Sequence, residues 1–269
     1  MTVLLLLAGV AAAACPDATT DPPACPAGSK LGTVDDQPLE WGKASEGAQP
    51  WWGRLSCGDG RIPVVRRHGG VNRLETPSSS PSSGLPSFDR ADLVDAWEVG
   101  CPDARTVLYT NAYRCGEVCV PAPYKVLPGA VIKQLESAQT AARAGKVEEA
   151  LTALRAATTA APEHERTWVV RGGMAEELGR YDEALAAWDG ALVRFPGPLT
   201  EGHRAEALAR TGRLQEAAKL AGALVAEAPD GPARARLLCV QSLTAADAAK
   251  ARTLAKQSCA EGYRRCCSG

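Results

Sequence analysis

The sequence predicts an α+β protein: a C-terminal α-helical solenoid of repeated helix hairpins, preceded by a small cysteine-rich domain that contains β-strands. Three observations carry that assignment. Gly145, Gly179 and Gly212, Ala150, Ala184 and Ala217, and Pro162, Pro196 and Pro229 recur together, spaced 34 and then 33 residues apart. Periods of this size belong to stacked supersecondary units, each of which buries its apolar face only against its neighbours. The first half of the chain lacks helical periodicity, is punctuated by glycine and holds short alternating segments. Ten cysteines are spread over both halves, and persistent disulfides belong to oxidising compartments.

With 269 residues, 45% of them hydrophobic and 23% charged, the chain can bury a core and form one or two domains. A net charge of -1 gives no reason to propose nucleic acid as a partner, because phosphate binding relies on a clear excess of Lys and Arg on one surface. Protein or peptide partners are expected instead. Six Trp, at 41, 51, 52, 97, 168 and 188, are candidate anchors for small cores.

Residues 1–14 are uncharged and apolar through Leu4–Leu7 and Val10–Ala14, shorter than the roughly 20 residues a membrane span needs, and read as a signal peptide. Ending in Ala12-Ala13-Ala14-Cys15, the segment resembles a bacterial lipoprotein signal, which implies acylation at Cys15. Ala12 stands where that family prefers Leu, and no Lys or Arg precedes the apolar run, so an ordinary cleavage after Ala14 fits as well. Either way the chain is expected to be exported, to the periplasm or outer membrane, touching a membrane only through an N-terminal lipid. Residues 15–24, rich in proline between Pro16 and Pro23, read as a tether.

Residues 25–120 are expected to form the small cysteine-rich β domain. Cys57-Gly58-Asp59-Gly60 and His68-Gly69-Gly70 are turn candidates. Val107–Cys115 is the clearest strand, with Val107, Tyr109, Tyr113 and Cys115 on one face and Thr110 and Arg114 on the other; Trp97, Val99 and Cys101 alternate just before it. Residues 76–87, mostly Ser and Pro, have almost nothing to bury and read as a loop or linker. So little aliphatic content calls for bridges among Cys25, Cys57, Cys101, Cys115 and Cys119, each typically contributing about 2 to 4 kcal/mol. Pro121, Pro123 and Pro128 mark a linker, residues 121–130, to the helical region 131–269.

In that region the turn is written Gly145-Lys-Val-Glu-Glu-Ala150, Gly179-Arg-Tyr-Asp-Glu-Ala184 and Gly212-Arg-Leu-Gln-Glu-Ala217. Glycine closes the first helix of each pair in a left-handed conformation. The apolar residue after it, Val147, Tyr181 or Leu214, packs across the turn, Ala sits where the two helices cross most closely, and Pro stops the second helix. This pattern resembles the tetratricopeptide repeat, most fully over residues 165–198, where Trp168, Gly172, Leu178, Gly179, Tyr181, Ala184, Trp188, Ala191 and Pro196 occupy the family's positions. Residues 131–164, with Gln134 and Ala138 in place of Trp and Gly, and 198–231 match less fully. Residues 232–269 form an atypical cap without the turn glycine, in which Thr244 is expected to cap the last helix with Asp247 reaching back. The end of the chain resembles the cysteine-bearing Sel1-like repeat, which implies a Cys259–Cys267 bridge and leaves Cys266 for Cys239; Cys259–Cys266 is an equally short closure.

The tetratricopeptide resemblance implies a concave face, lined by the first helix of each pair, on which a peptide or partner helix lies. The groove positions map onto Gln139, Arg143, Arg166, Val169, Glu176, Glu206 and Arg210, whose mixed charge lacks the Lys and Asn set of the family's clamp for a peptide terminus. The chain therefore reads as a non-enzymatic scaffold or adaptor. No cofactor or metal is specified: His68, His164 and His203 lie in different units without paired ligands and are expected at the surface. The glycines form no phosphate loop, and Cys115-x-x-x-Cys119 lacks thiol-oxidoreductase spacing. In an alternative reading the cysteine-rich domain recognises glycan, peptidoglycan or protein and the repeats are a stalk; a thiol redox or other enzyme is the remaining one.

Overall fold

The structure, a computed structural model, describes residues 20–30, 39–40, 54–72, 93–111, 118–228 and 231–267. The signal segment, Cys15, Trp41, Trp51, Trp52, the Ser/Pro-rich segment 76–87, Tyr113, Arg114, Cys115 and Pro229 lie outside them. The chain divides into two units, one running to Gly58 and from Ile62 to Gly129, the other comprising Asp59–Arg61 and Ala130–Gly269.

In the first unit, strands β1 (Leu39–Glu40), β3 (Val64–Asn72), β4 (Leu93–Gly100) and β5 (Arg105–Asn111) form a sheet in the order β1-β5-β4-β3. β1 runs parallel to β5 and the other pairs are antiparallel. A β-bulge between Arg67 and Gly69 shifts the register of β3. Gly69 and Gly70 are thus strand residues, correcting the expected turn: a glycine inside a strand marks an irregularity as readily as a reversal. On β5 the buried residues are Leu108 and Thr110, 1% and 2% exposed, whereas Val107 is 38% exposed. The face of Val107 and Tyr109 is therefore the outer one. The core joins Leu39, Leu55, Val99, Leu108, Cys119, Val120 and Tyr124.

Two disulfides staple this core, Cys25–Cys119 and Cys57–Cys101. The segments expected as tether and linker take part in it. The Cys25 amide donates to the Val120 carbonyl at 2.9 Å and the Val120 amide to that of Pro23 at 2.8 Å. β2 (Leu55–Ser56) pairs with β6 (Lys125–Val126), and Leu127 is fully buried. Buried Arg54 donates to the Leu127 carbonyl at 2.9 and 2.6 Å and pairs with Asp21, whose carboxylate also accepts from the Gly129 amide at 2.7 Å. Proline content alone does not release a segment when its alternate residues have partners.

The second unit contains four antiparallel helix pairs: α1 (Gly129–Arg143) with α2 (Val147–Ala160), α3 (Glu165–Glu177) with α4 (Tyr181–Arg194), α5 (Pro198–Arg210) with α6 (Leu214–Val225), and α7 (Pro232–Thr244) with α8 (Ala248–Ala260). The turn chemistry is as the sequence requires: Gly145, Gly179 and Gly212 have φ of 72°, 69° and 84°. In each case the amide three residues past the helix end reaches back, as from Arg180 to the Ala175 carbonyl at 2.8 Å, satisfying a terminal carbonyl. Ala150, Ala184 and Ala217 are fully buried. The best repeat is held by two reciprocal contacts between tryptophan and glycine. A Cβ on Gly172 would lie 2.4 Å from the Trp188 ring, and one on Gly190 would lie 2.2 Å from the Trp168 ring, so the missing side chains let α3 and α4 approach with both indoles between them.

The last pair differs from expectation in its cap. Asp247 is the N-cap of α8, accepting from the Lys250 amide at 2.7 Å, while the Thr244 hydroxyl donates back to the Val240 carbonyl at 3.0 Å as the final residue of α7. The β-extended backbone at Asp247 places its carboxylate over the first turn. Bridges Cys239–Cys266 and Cys259–Cys267 close the end of the unit. Gly262, at φ 96°, reverses the chain after α8, and the Tyr263 amide donates to the Ser258 carbonyl at 3.1 Å. A short 3₁₀ turn, Arg264–Cys266, follows.

Candidate protein-binding face

The expected groove positions of α3, Arg166, Val169 and Glu176, fall on one stripe together with Gly173, at steps of three and four residues. Its two ends have opposite characters. Glu176 is 3% exposed and Glu206 of α5 is fully buried, so neither is the solvated groove charge expected from sequence. One Glu176 oxygen, Oε1, accepts from Trp188 Nε1 at 2.8 Å and lies 2.8 Å from His203 Nδ1; the other, Oε2, accepts from Arg236 at 3.2 Å and Arg265 at 2.8 Å. Arg236 also donates to Glu206 at 2.7 Å, and the Tyr263 hydroxyl donates to the same Glu206 oxygen. Arg210, the remaining position on α5, is half-buried, 3.8 Å from Glu206 and 5.7 Å from the centre of the Tyr181 ring.

The electrostatics follow from that geometry. Burial alone pushes the Glu176 carboxyl up, but the His203 hydrogen bond and the charges of His203, Arg236 and Arg265 outweigh it and hold the group at about 2. Burial and the neighbouring Glu206 charge push the Tyr263 phenol up, keeping it a hydrogen-bond donor. The helices and the stapled C-terminal turn thus meet in one ionic cluster in which each acid has a cation within 4 Å, while Glu206 Oε1 and Arg210 Nε make no hydrogen bond; a buried charge persists only when paired. Sequence reading missed Arg236, His203, Tyr263 and Arg265. The only local signal was the position of Tyr263-Arg264-Arg265 between Cys259 and the Cys266-Cys267 pair, which fixes the turn in place.

The other end of the stripe is open. Val169 is half-buried against the core, and a Cβ added at Gly173 would meet nothing within 4 Å. Arg166 is half-buried, its Nε is buried without a hydrogen-bond partner, and burial lowers its guanidinium pKa with no acid to oppose the shift. Gln139 and Arg143 on α1 are exposed, and their side chains make no hydrogen bond or ion pair among the described residues. Behind the stripe, Glu183 of α4 joins α2 to α3, accepting from Arg155 at 3.0 Å and Arg171 at 2.7 Å.

Two of the three histidines depart from the expected surface positions. His68 is exposed beside Glu98 at 3.0 Å, but His164 is 3% exposed and His203 stacks on Trp188 with ring centres 4.3 Å apart. Among the described residues no group of three His, Cys, Asp or Glu could hold a metal ion, and no helix is long and apolar enough to cross a membrane.

A comparison with curated proteins finds no match. Among solved structures, one titled "MamA RS-1 ArsTM double mutant" is 19% identical, covers 51% of this chain and 78% of its own, and has a TM-score of 0.42. Residues 135–197, which span α3, α4 and the greater part of the pair before them, match the tetratricopeptide repeat family, a repeat whose stacked helix pairs serve protein–protein interaction.

Proposed function

We propose that this chain is a non-enzymatic docking scaffold of the bacterial cell envelope, and that a segment of a partner protein lies along the open stripe of α3 and across α1. Gln139, Arg143, Arg166 and Val169 line that path, Gly173 leaves it room, and Glu176, Glu206 and Arg210 form its closed end. The observation that carries the reading is the open space at Gly173, which lies between a half-buried apolar residue and the buried ion pairs of Glu176. Glycine in a helix interior is unfavourable by about 1 kcal/mol relative to Ala, and here no neighbour within the unit requires its small size.

The envelope location is supported by the four disulfides among the described residues, which fit an oxidising compartment, and by the character of residues 1–15, with Cys15 as the lipid attachment point. The stapled C-terminal turn holds the last helix pair together. A photoreactive amino acid placed singly at Gln139, Arg143, Val193 or Leu214 tests the docking face, the last two being 80% and 45% exposed on α4 and α6. Cross-links to one partner from Gln139 and Arg143 but not from Val193 and Leu214 are expected. Cross-links confined to α4 and α6, or obtained from none of the four positions, contradict the reading.

A further inference from the structure

The open end of the stripe carries one electrostatically unsatisfied group. We propose that Arg166 is the anchor for an acidic side chain, Asp or Glu, set between apolar residues of the partner segment. The inference rests on the docking reading above and names the chemistry of its occupant. Arg236, Arg265 and Arg210 each have an acid within 4 Å, and Arg155 and Arg171 share Glu183. Arg166 has no ion pair among the described residues, and its Nε is withdrawn from solvent without an acceptor. A guanidinium in that state is tolerated where an anion arrives to complete it, because a desolvated unpaired charge is costly and a charge-assisted hydrogen bond is the strong kind.

The surroundings narrow the anion. On α3 itself Arg166 is the one unpaired cation of the stripe among the described residues, so a carboxylate neutralises it whereas a phosphate dianion leaves an excess of negative charge there. Val169, one turn along α3, offers an apolar ledge, and the space over Gly173 accepts a further side chain before the ionic cluster closes the path. An acidic residue within a chain has apolar neighbours on both sides to occupy these positions; a chain terminus has them on one side only.

The test uses the full-length oxidised protein and pairs of 12-residue synthetic peptides, amidated at the C-terminus, with Leu and Val flanking a central Glu or, in the matched peptide, a Gln. A third set carries Gln and a free terminal carboxylate. Binding is measured by fluorescence anisotropy at two salt concentrations. At least a tenfold preference for Glu over Gln is expected, falling with salt, abolished in Arg166→Met and partly kept in Arg166→Lys. Arg166→Met is expected to melt at a higher temperature than wild type without peptide, which keeps a folding defect from imitating lost binding. Equal affinity for Glu and Gln peptides, both lost in Gly173→Phe, overturns the acidic anchor but leaves the docking path standing. A preference for the free terminus alone assigns the site to chain ends and overturns the proposal. Failure of every Glu peptide to bind overturns it as well, and unchanged partner cross-linking in Gly173→Phe then removes the docking reading itself.

Discussion

Replacing Glu176 by Gln tests the buried ionic cluster. Gln keeps the side-chain volume and an acceptor for Trp188, but removes the charge that Arg236 and Arg265 face at 3.2 and 2.8 Å. The folded carboxyl titrates at about 2, against 4.5 ordinarily, and that difference corresponds to about 3 kcal/mol of stability. Because the folded value lies below the unfolded one, this stabilisation is complete above pH 4.5 and disappears as the pH falls through about 2. Breaking a buried pair typically destabilises by about 3 to 5 kcal/mol. The lower end applies here, since Arg236 retains Glu206 at 2.7 Å and Arg265 stays 3.9 Å from it. The assay is urea unfolding followed by far-ultraviolet circular dichroism, with disulfides intact. Glu176→Gln is expected to lose about 3 kcal/mol at pH 7, the gap closing to below about 1 kcal/mol near pH 2. A loss below about 1 kcal/mol at pH 7, or a gap that does not depend on pH, refutes the assignment of Glu176 as the ionised hub.

Adjacent glycines on α3 should respond oppositely. Gly172→Ala places a Cβ 2.4 Å from the Trp188 ring and should destabilise by about 1 to 3 kcal/mol, whereas Gly173→Ala meets nothing and should stabilise by about 1 kcal/mol; thermal denaturation separates the two. Removing the Cys239–Cys266 bridge, which spans 27 residues, with paired Ser substitutions should destabilise the helical unit by about 3.5 kcal/mol, and removing Cys259–Cys267, which spans 8, by about 2.5 kcal/mol, if chain entropy dominates. Equal or negligible losses in denaturant titrations contradict that scaling.

The repeat was legible because its determinants are local. Gly179, Ala184 and the Trp188 that lies over Gly172 sit at fixed offsets along one pair of helices, so spacing alone located the turns and the crossing point. The cysteines near the end were legible as a local staple, but their spacing left Cys259–Cys266 as open as the Cys259–Cys267 bridge found. The ionic cluster was not, because Glu176 meets Arg236 and Arg265 at sequence separations of 60 and 89, and a glutamate on a polar helix face looks the same whether water or a distant arginine pairs with it. On β5, Val107 and Leu108 both suit a half-buried strand, and only the neighbouring strands decide that Leu108 faces inward. Residues 20–24 and 121–127 read as extended connectors from their prolines, yet Val120 and Leu127 lock them to the sheet through backbone bonds that no side-chain pattern encodes.

The central claim is that the stripe around Gly173 receives a partner segment, and blocking it with a side chain the helix itself tolerates is the most direct test. Gly173→Phe, verified as folded by circular dichroism, is compared with wild type for the yield of partner cross-linked from a photoreactive residue at Gln139. The account predicts at least a tenfold fall in yield with helical content unchanged; an undiminished yield contradicts it.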